Sequence, residues 1–326
     1  MKYGKLSESI YDRTVYKTIQ SINKSAALGG DCAFFSGMSA IGNATGKDVY
    51  VIYRAAMDAL HKLACHGCNP LEQSGNFLVH AEIFFPESLR EAKLRGMIEY
   101  AASGLKELGV AFGLVNTTIL PGISEVIVGC TAITDGKSAF INKAKPGQDV
   151  VMTKWMAQEG SALIAKTMQR DLETRYPLHI IESASDFIQN ISVLPEAATA
   201  MKSNVSAMHA IREGGVFGGL WDFAKQSDVG LVIDLKRIPV KQETIEVCEF
   251  FDINPYKLLS GGSLLIATDN GMTLVSELER LGIHAAVIGK TTPNNDRVIC
   301  HEEETRFLEA SGEDEYYKVM YPQSSK

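Results

Sequence analysis

The sequence contains no long apolar run: no window approaches the ~20 apolar residues that a membrane-spanning helix needs. It also lacks an excess of positive charge. With 32 Lys and Arg against 39 Asp and Glu, the formal net charge is -7 and no basic stripe stands out. Phosphate-backbone recognition depends on clustered cations, so a nucleic-acid partner is excluded as the expectation. Cysteine is sparse. The six (32, 65, 68, 130, 248 and 300) are spread too thinly for a disulfide scaffold, which points to reduced thiols and a cytoplasmic setting. The opening residues, MKYGKLSESIYDRTVYK, carry charges throughout and no apolar core, so they do not read as a signal peptide. No repeat or low-complexity segment is present.

What remains is the profile of a soluble globular protein. The chain has 326 residues, 45% of them apolar and 22% charged, enough for about two domains with their own cores. Leu6 to Ser25 reads as a helix, with Ile10, Val15, Ile19 and Ile22 on roughly one face. A glycine-rich turn follows at 29–37. DVYVIY at 48–53 has the β-branched and aromatic content of a strand, and 54–66 has helical spacing ended by Gly67 and Pro70. A strand over 76–85, a helix over 87–108 closed by Gly109, and strands in VAFGLVN and EVIVGCTAI complete a β-α-β-α-β-β series. INKAKPGQD (141–149) is polar and separates two apolar halves; it serves as the boundary between domains at 1–145 and 146–326, although a surface hairpin fits it as well. Beyond it, helices are expected at 160–173, 195–203 and 242–250, and after the glycines of MHAIREGGVFGGLW. DVGLVIDLK, SLLIATD and HAAVIGKTT read as strands, with GMTLVSELERLG a helix between the last two. The fold class is α/β, helices packed on sheets.

Several segments occur in a telling order: GKL, GGDCA, a Gly-x-x-Pro helix end, TKWMAQEGSALIA, MHAIREGGVFGGLW, NPYKLLSGGSLLIA and DEYYKV. Across nearly the whole chain this order resembles the aminoimidazole ribonucleotide (AIR) synthase-like, or PurM-like, superfamily. Within it, the chain is most similar to the hydrogenase maturation factors that dehydrate a carbamoylated cysteine and to the AIR synthase-related proteins near them. The resemblance implies a two-domain α/β fold. Its N-terminal domain forms a barrel by pairing in a homodimer, and its C-terminal domain is an α/β sandwich. It also implies ATP between the domains, its phosphates held through Mg²⁺ by carboxylates.

Those carboxylates can be placed one at a time. One aspartate of the family's first motif survives as Asp31. Arg54 and Lys62 stand where others belong, and Asn116-Thr117-Thr118 takes the place of Gly-Asp-Thr. His209-Ala210-Ile211-Arg212-Glu213-Gly214-Gly215 replaces the family's His-Asp-Val-Thr-Glu-Gly-Gly. Mg²⁺ needs hard oxygen ligands, and a cation in a carboxylate's place removes a ligand and adds repulsion. Binding of Mg-ATP is therefore in doubt, whereas Arg54 and Lys62 are candidates for direct contact with ATP or another anionic ligand, the alternative being that both face solvent. Lys154, Glu213, Gly214 and Gly215 match the family and complete the candidate ligand contacts. No catalytic residue can be named.

HKLACHGCNP places His61, Cys65, His66 and Cys68 within eight residues. His61 and Cys65 share a helix face at i, i+4, and thiolates with imidazoles suit zinc, copper(I) or iron, perhaps with Cys32. The preferred reading is that Cys65 and Cys68 are small apolar residues packed in the domain, with a metal site or a redox thiol pair as the alternatives. Cys300, in RVIC, resembles the terminal cysteine that carries the thiocarboxamide in the maturation factors. The chain continues past it to residue 326, so Cys300 is not expected to fill that role. Two functions stay open. One is an enzyme that activates an amide-type oxygen with ATP, of dehydratase or cyclo-ligase type. The other is a non-catalytic descendant that binds another ligand, a metal or a protein, possible partners being a second copy and a maturation protein.

Overall fold

The structure is a computed structural model that describes residues 8–11, 13–14, 17, 32–34, 37–72, 75–302, 304–310 and 312–322. The helix expected at 6–25 lies outside the described residues except for a few positions, including a helical turn at Glu8–Tyr11. The chain divides into two compact units, Gly30–Phe140 on one hand and Ile141–Lys326 with the N-terminal segment on the other.

The first unit contains β1 (Cys32–Phe34), β2 (Met38–Gly46), α1 (Val51–Cys65), β3 (Phe77–Phe85), α2 (Glu91–Glu107), β4 (Ala111–Ile119) and β5 (Val126–Thr134). Its five-stranded sheet has the order β1-β2-β5-β3-β4, with β3 and β4 parallel and the other pairs antiparallel. Along β2 and β5 every second residue is buried, the period-2 signature of a sheet with one covered face. The covered face packs on α1, whose Ile52, Leu60 and Leu63 are fully buried. Helix and strand approach closely here. A side chain at Gly42 would strike the Ala55 carbonyl at 2.2 Å, so glycine is required on geometric grounds.

DVYVIY is not a strand. Asp48 accepts the backbone N–H of Tyr50 at 3.0 Å, making a turn that launches α1 at Val51. Val51 and Ile52 supply apolar area to the helix's buried face, and this packing outweighs their β-propensity. The strand that does precede α1 is β2, whose MSAIGNATG is too rich in Ala and Gly to show the usual strand composition.

The second unit contains β6 (Asp149–Thr153), α3 (Gln158–Thr167), α4 (Leu178–Asp186), α5 (Leu194–Lys202), β7 (Ala207–Ile211), α6 (Gly215–Ser227), β8 (Gly230–Asp234) and α7 (Gln242–Phe250). It continues through β9 (Ser263–Thr268), α8 (Gly271–Arg280), β10 (Ala285–Thr292), β11 (Arg297–His301), β12 (Glu304–Phe307) and α9 (Glu315–Met320). The seven-stranded sheet runs β12-β11-β8-β10-β6-β9-β7. On one face α6 buries Phe217, Leu220 and Phe223 in a core with Met152, Leu231, Leu265 and Ile288. On the other, α5 and α8 pack on β9, β6 and β10. This is an α/β sandwich. The helix expected over 160–173 is broken at Met168 into α3 and a short helical turn at Gln169–Leu172, and α4 was not anticipated.

Candidate functional site

In the first unit Arg54 and Lys62, the cations expected where the resemblance places carboxylates, are both held by carboxylates of the same unit. The Arg54 guanidinium donates to Asp48 Oδ2 at 2.9 Å and to the Thr45 carbonyl at 2.8 Å, and its side chain is only 2% exposed. Lys62 donates to Asp58 Oδ2 at 3.1 Å and to the Ile41 carbonyl at 2.7 Å, with 27% of its side chain exposed. The same Asp58 oxygen accepts the backbone N–H of Asn43 at 3.3 Å. These pairs fasten both ends of α1 to β2. Neither cation points freely into solvent. Asp31 lies outside the described residues, and Thr117 sits exposed in β4, opposite Ile83 of β3.

The cysteine cluster is an apolar arrangement. Cys65 and Cys68 are buried, and the Cys68 thiol lies 3.2 Å from the thioether of Met38. His66 Nδ1 is 3.0 Å from the Lys62 carbonyl, at the helix end, and His61 is buried. Among the described residues no group of three or more His, Cys, Asp or Glu side chains is placed to hold a metal ion. Burial pushes the Cys68 thiol up and the Cys130 thiol to about 12, disfavouring the thiolates that ligate metals or react. Cys300 lies within a hairpin ladder, opposite Thr305.

In the second unit Lys154 and Glu159 are drawn into tight charge networks. Lys154 has a left-handed backbone (φ 54°) at the end of β6; its ammonium donates to the carbonyls of Asn190 and Ser192 and lies 2.6 Å from Glu196 Oε1. Glu196 is fully buried, and burial pushes its carboxyl up against the pull of Lys154. Glu159, also buried, faces the Arg212 guanidinium at 3.4 Å. A side chain on Gly261 would meet Glu159 Oε2 at 2.1 Å, so the SGGS turn folds directly over this carboxylate.

Glu213, Gly214 and Gly215 form the turn before α6. Gly214 and Gly215 have φ values of 78° and 64°, a left-handed pair that glycine adopts without steric cost. The Gly214 N–H donates to Asp314 Oδ2 at 2.7 Å, and Asp314 Oδ1 accepts from Leu259 and Tyr316 at 3.1 and 2.9 Å. Burial pushes the Asp314 carboxyl up to about 7, aided by the charge of Glu213 and opposed by the three N–H donors. Sequence reading singled out the cations and glycines but not their partners Asp48, Asp58, Glu196 and Asp314. The signals were present: Asp58 stands four residues before Lys62, and Asp314 opens a helix as a cap.

Each unit has the α/β arrangement of the AIR synthase-like (PurM-like) fold, which similar solved structures share. Residues 145–301 match the AIR synthase related protein family's C-terminal domain. Among curated relatives, the carbamoyl dehydratase HypE of Rhizobium leguminosarum bv. viciae is 22% identical over 251 residues, 74% of this chain and 68% of the relative. Two solved structures share the fold. A HypE–HypF complex gives a TM-score of 0.70 at 16% identity, covering 91% of this chain and 99% of that one. The hydrogenase maturation protein HypE in complex with ATP gives 0.59 at 15% identity, covering 97% and 98%.

Proposed function

We propose that this chain is a HypE-like, AIR synthase-related protein that binds ATP or another anionic ligand without relying on Mg²⁺, and that it hydrolyses ATP little or not at all. One observation carries the reading. Where the resemblance places metal-holding aspartates, Arg54 and Lys62 stand instead, and the carboxylates beside them, Asp48 and Asp58, are committed to those cations at 2.9 and 3.1 Å. A carboxylate neutralised in this way has little left to offer a hard divalent ion. The same pairing favours the non-catalytic form of the reading over an ATP-dependent dehydratase or cyclo-ligase.

Each unit offers its own candidate ligand contacts: in the first, Lys62 and, from the resemblance, Asp31, with Arg54 shaping that region through α1; in the second, Lys154 and the Glu213-Gly214-Gly215 turn. A cytoplasmic homodimer formed through the five-stranded sheet is part of the proposal. That sheet exposes Ile41, Ile127 and Ile133 on the face opposite α1, an apolar patch of the kind that marks an interface. Because a HypE is known in complex with HypF, a maturation protein is the natural further partner. The test is phosphate release from ATP with Mg²⁺ present. Background rates are expected; turnover of the order of ~1 s⁻¹, the low end for enzymes, refutes the proposal.

A further inference from the structure

The glycine turn at 214–215 has the backbone freedom to take many conformations, since two adjacent glycines carry no side chain to restrict them. Something must therefore fix it. Gly215 N–H donates to the Arg212 carbonyl at 3.2 Å, a contact within the turn itself. The shorter tie comes from far along the chain, where the Asp314 carboxylate accepts the Gly214 N–H at 2.7 Å. Asp314 is 3% exposed, so this is a charge-assisted bond shielded from water.

The same carboxylate binds Leu259 and, by capping α9, Tyr316. Leu259 in turn accepts the N–H of Gly160, next to Glu159, through its carbonyl at 2.8 Å. One side chain thus joins the glycine turn, the segment before the SGGS turn and the C-terminal helix, all within the second unit. A Cβ on Gly215 would lie 2.5 Å from the Tyr256 carbonyl, so the turn is also pressed against this segment. Of the charged groups on these surrounding elements, Glu213 acts on Asp314 through its charge.

We propose that Asp314 is the positioning residue of the glycine turn, holding Gly214 and Gly215 in the conformation that an anionic ligand group meets while touching no ligand itself. This rests on the reading that the turn contributes to the ligand site. It makes the C-terminal helix, through its cap, part of that site's construction.

Asp314→Asn separates the contacts. The amide oxygen still accepts from Leu259 and Tyr316, whereas the NH₂ group faces the Gly214 N–H and loses that bond. Amide hydrogen exchange of the full chain should then show Gly214 exchanging about tenfold faster, the scale of a lost charge-assisted bond, with Leu259 and Tyr316 little changed. Metal-free ATP should bind about tenfold more weakly at a temperature well below the variant's melting midpoint, which falls modestly with the lost bond. Unchanged Gly214 exchange overturns the inference, and so does faster exchange with unchanged ATP affinity. If the unsubstituted protein binds no ATP, the functional reading fails by itself, and the exchange of Gly214 still decides whether Asp314 sets the turn.

Discussion

In the seven-stranded sheet β9 is buried along its whole length and β6 along all but its first residue, with helices over both faces. In the five-stranded sheet β2 and β5 alternate instead, and Ile41 on the open face is 65% exposed. The charges differ in parallel. The larger sheet's unit closes around a fully buried Glu196, while the smaller one sets its cation pairs at the ends of a single helix. One unit is finished on its own terms; the other has a face that needs covering and cation pairs at both ends of its buried helix.

The largest effects come from breaking the buried pairs. Lys154→Met leaves the Glu196 carboxyl in an apolar site without its cation, which should cost about 3–5 kcal/mol in denaturant unfolding because the buried group cannot be rehydrated. Asp48→Ala leaves the Arg54 guanidinium its bond to the Thr45 carbonyl and should cost less. Lys62→Ala, whose ammonium is partly solvated, should cost about 1 kcal/mol or less. The Lys154→Met variant also acquires a pH dependence of known sign. Burial raises the Glu196 carboxyl in the folded state above its unfolded value. The folded protein then binds the extra proton, so stability is greatest below the unfolded value, about 4.3, and falls as pH rises through the folded one. Unfolding midpoints at pH 5 and pH 8 check this; a midpoint higher at pH 8 contradicts it.

The open face is the next largest test. Ile41→Glu should weaken self-association about thirtyfold or more, the scale of a central interface residue, as seen by light scattering at micromolar concentration. Leu281→Glu, an equally exposed apolar site in the second unit, should leave the dimer intact. Matching losses for the two variants would remove the distinction between the sheets.

The smallest effect concerns the thiols. Burial raises the thiols of Cys68, Cys130 and Cys248, whereas Cys300 is partly exposed in its hairpin. Of the five cysteines whose side chains are described, Cys300 should alkylate first at pH 8, readable by mass spectrometry. Labelling of Cys65 or Cys68 ahead of it would reopen the question of a reactive pair.

The sequence carried most of the second unit and less of the first, for a physical reason. Strands such as SLLIATD and HAAVIGKTT are continuous apolar runs because both faces are covered, and such runs are easy to read. β2 is half exposed and pressed on a helix through Gly42, so its composition is small and mixed and it gave no strand signal. DVYVIY misled in the opposite sense, its β-branched residues serving helix burial. At the site, residue identities alone singled out Arg54 and Lys62 as cations. The Asp58–Lys62 pair follows from i, i+4 spacing on one helix, whereas the bonds of Arg54 to the Thr45 carbonyl and of Lys62 to the Ile41 carbonyl depend on how α1 meets β2, which no local pattern encodes. Asp314 and Gly214 lie a hundred positions apart, and only the folded chain brings them together.

The most direct test of the central claim is calorimetric titration of the full-length protein with ATP, with and without Mg²⁺. If the pairs at Arg54 and Lys62 have displaced the metal, the two affinities should agree within about threefold, a difference under 1 kcal/mol. Tightening by Mg²⁺ of about a hundredfold, near 3 kcal/mol, would show a working metal site and contradict the account.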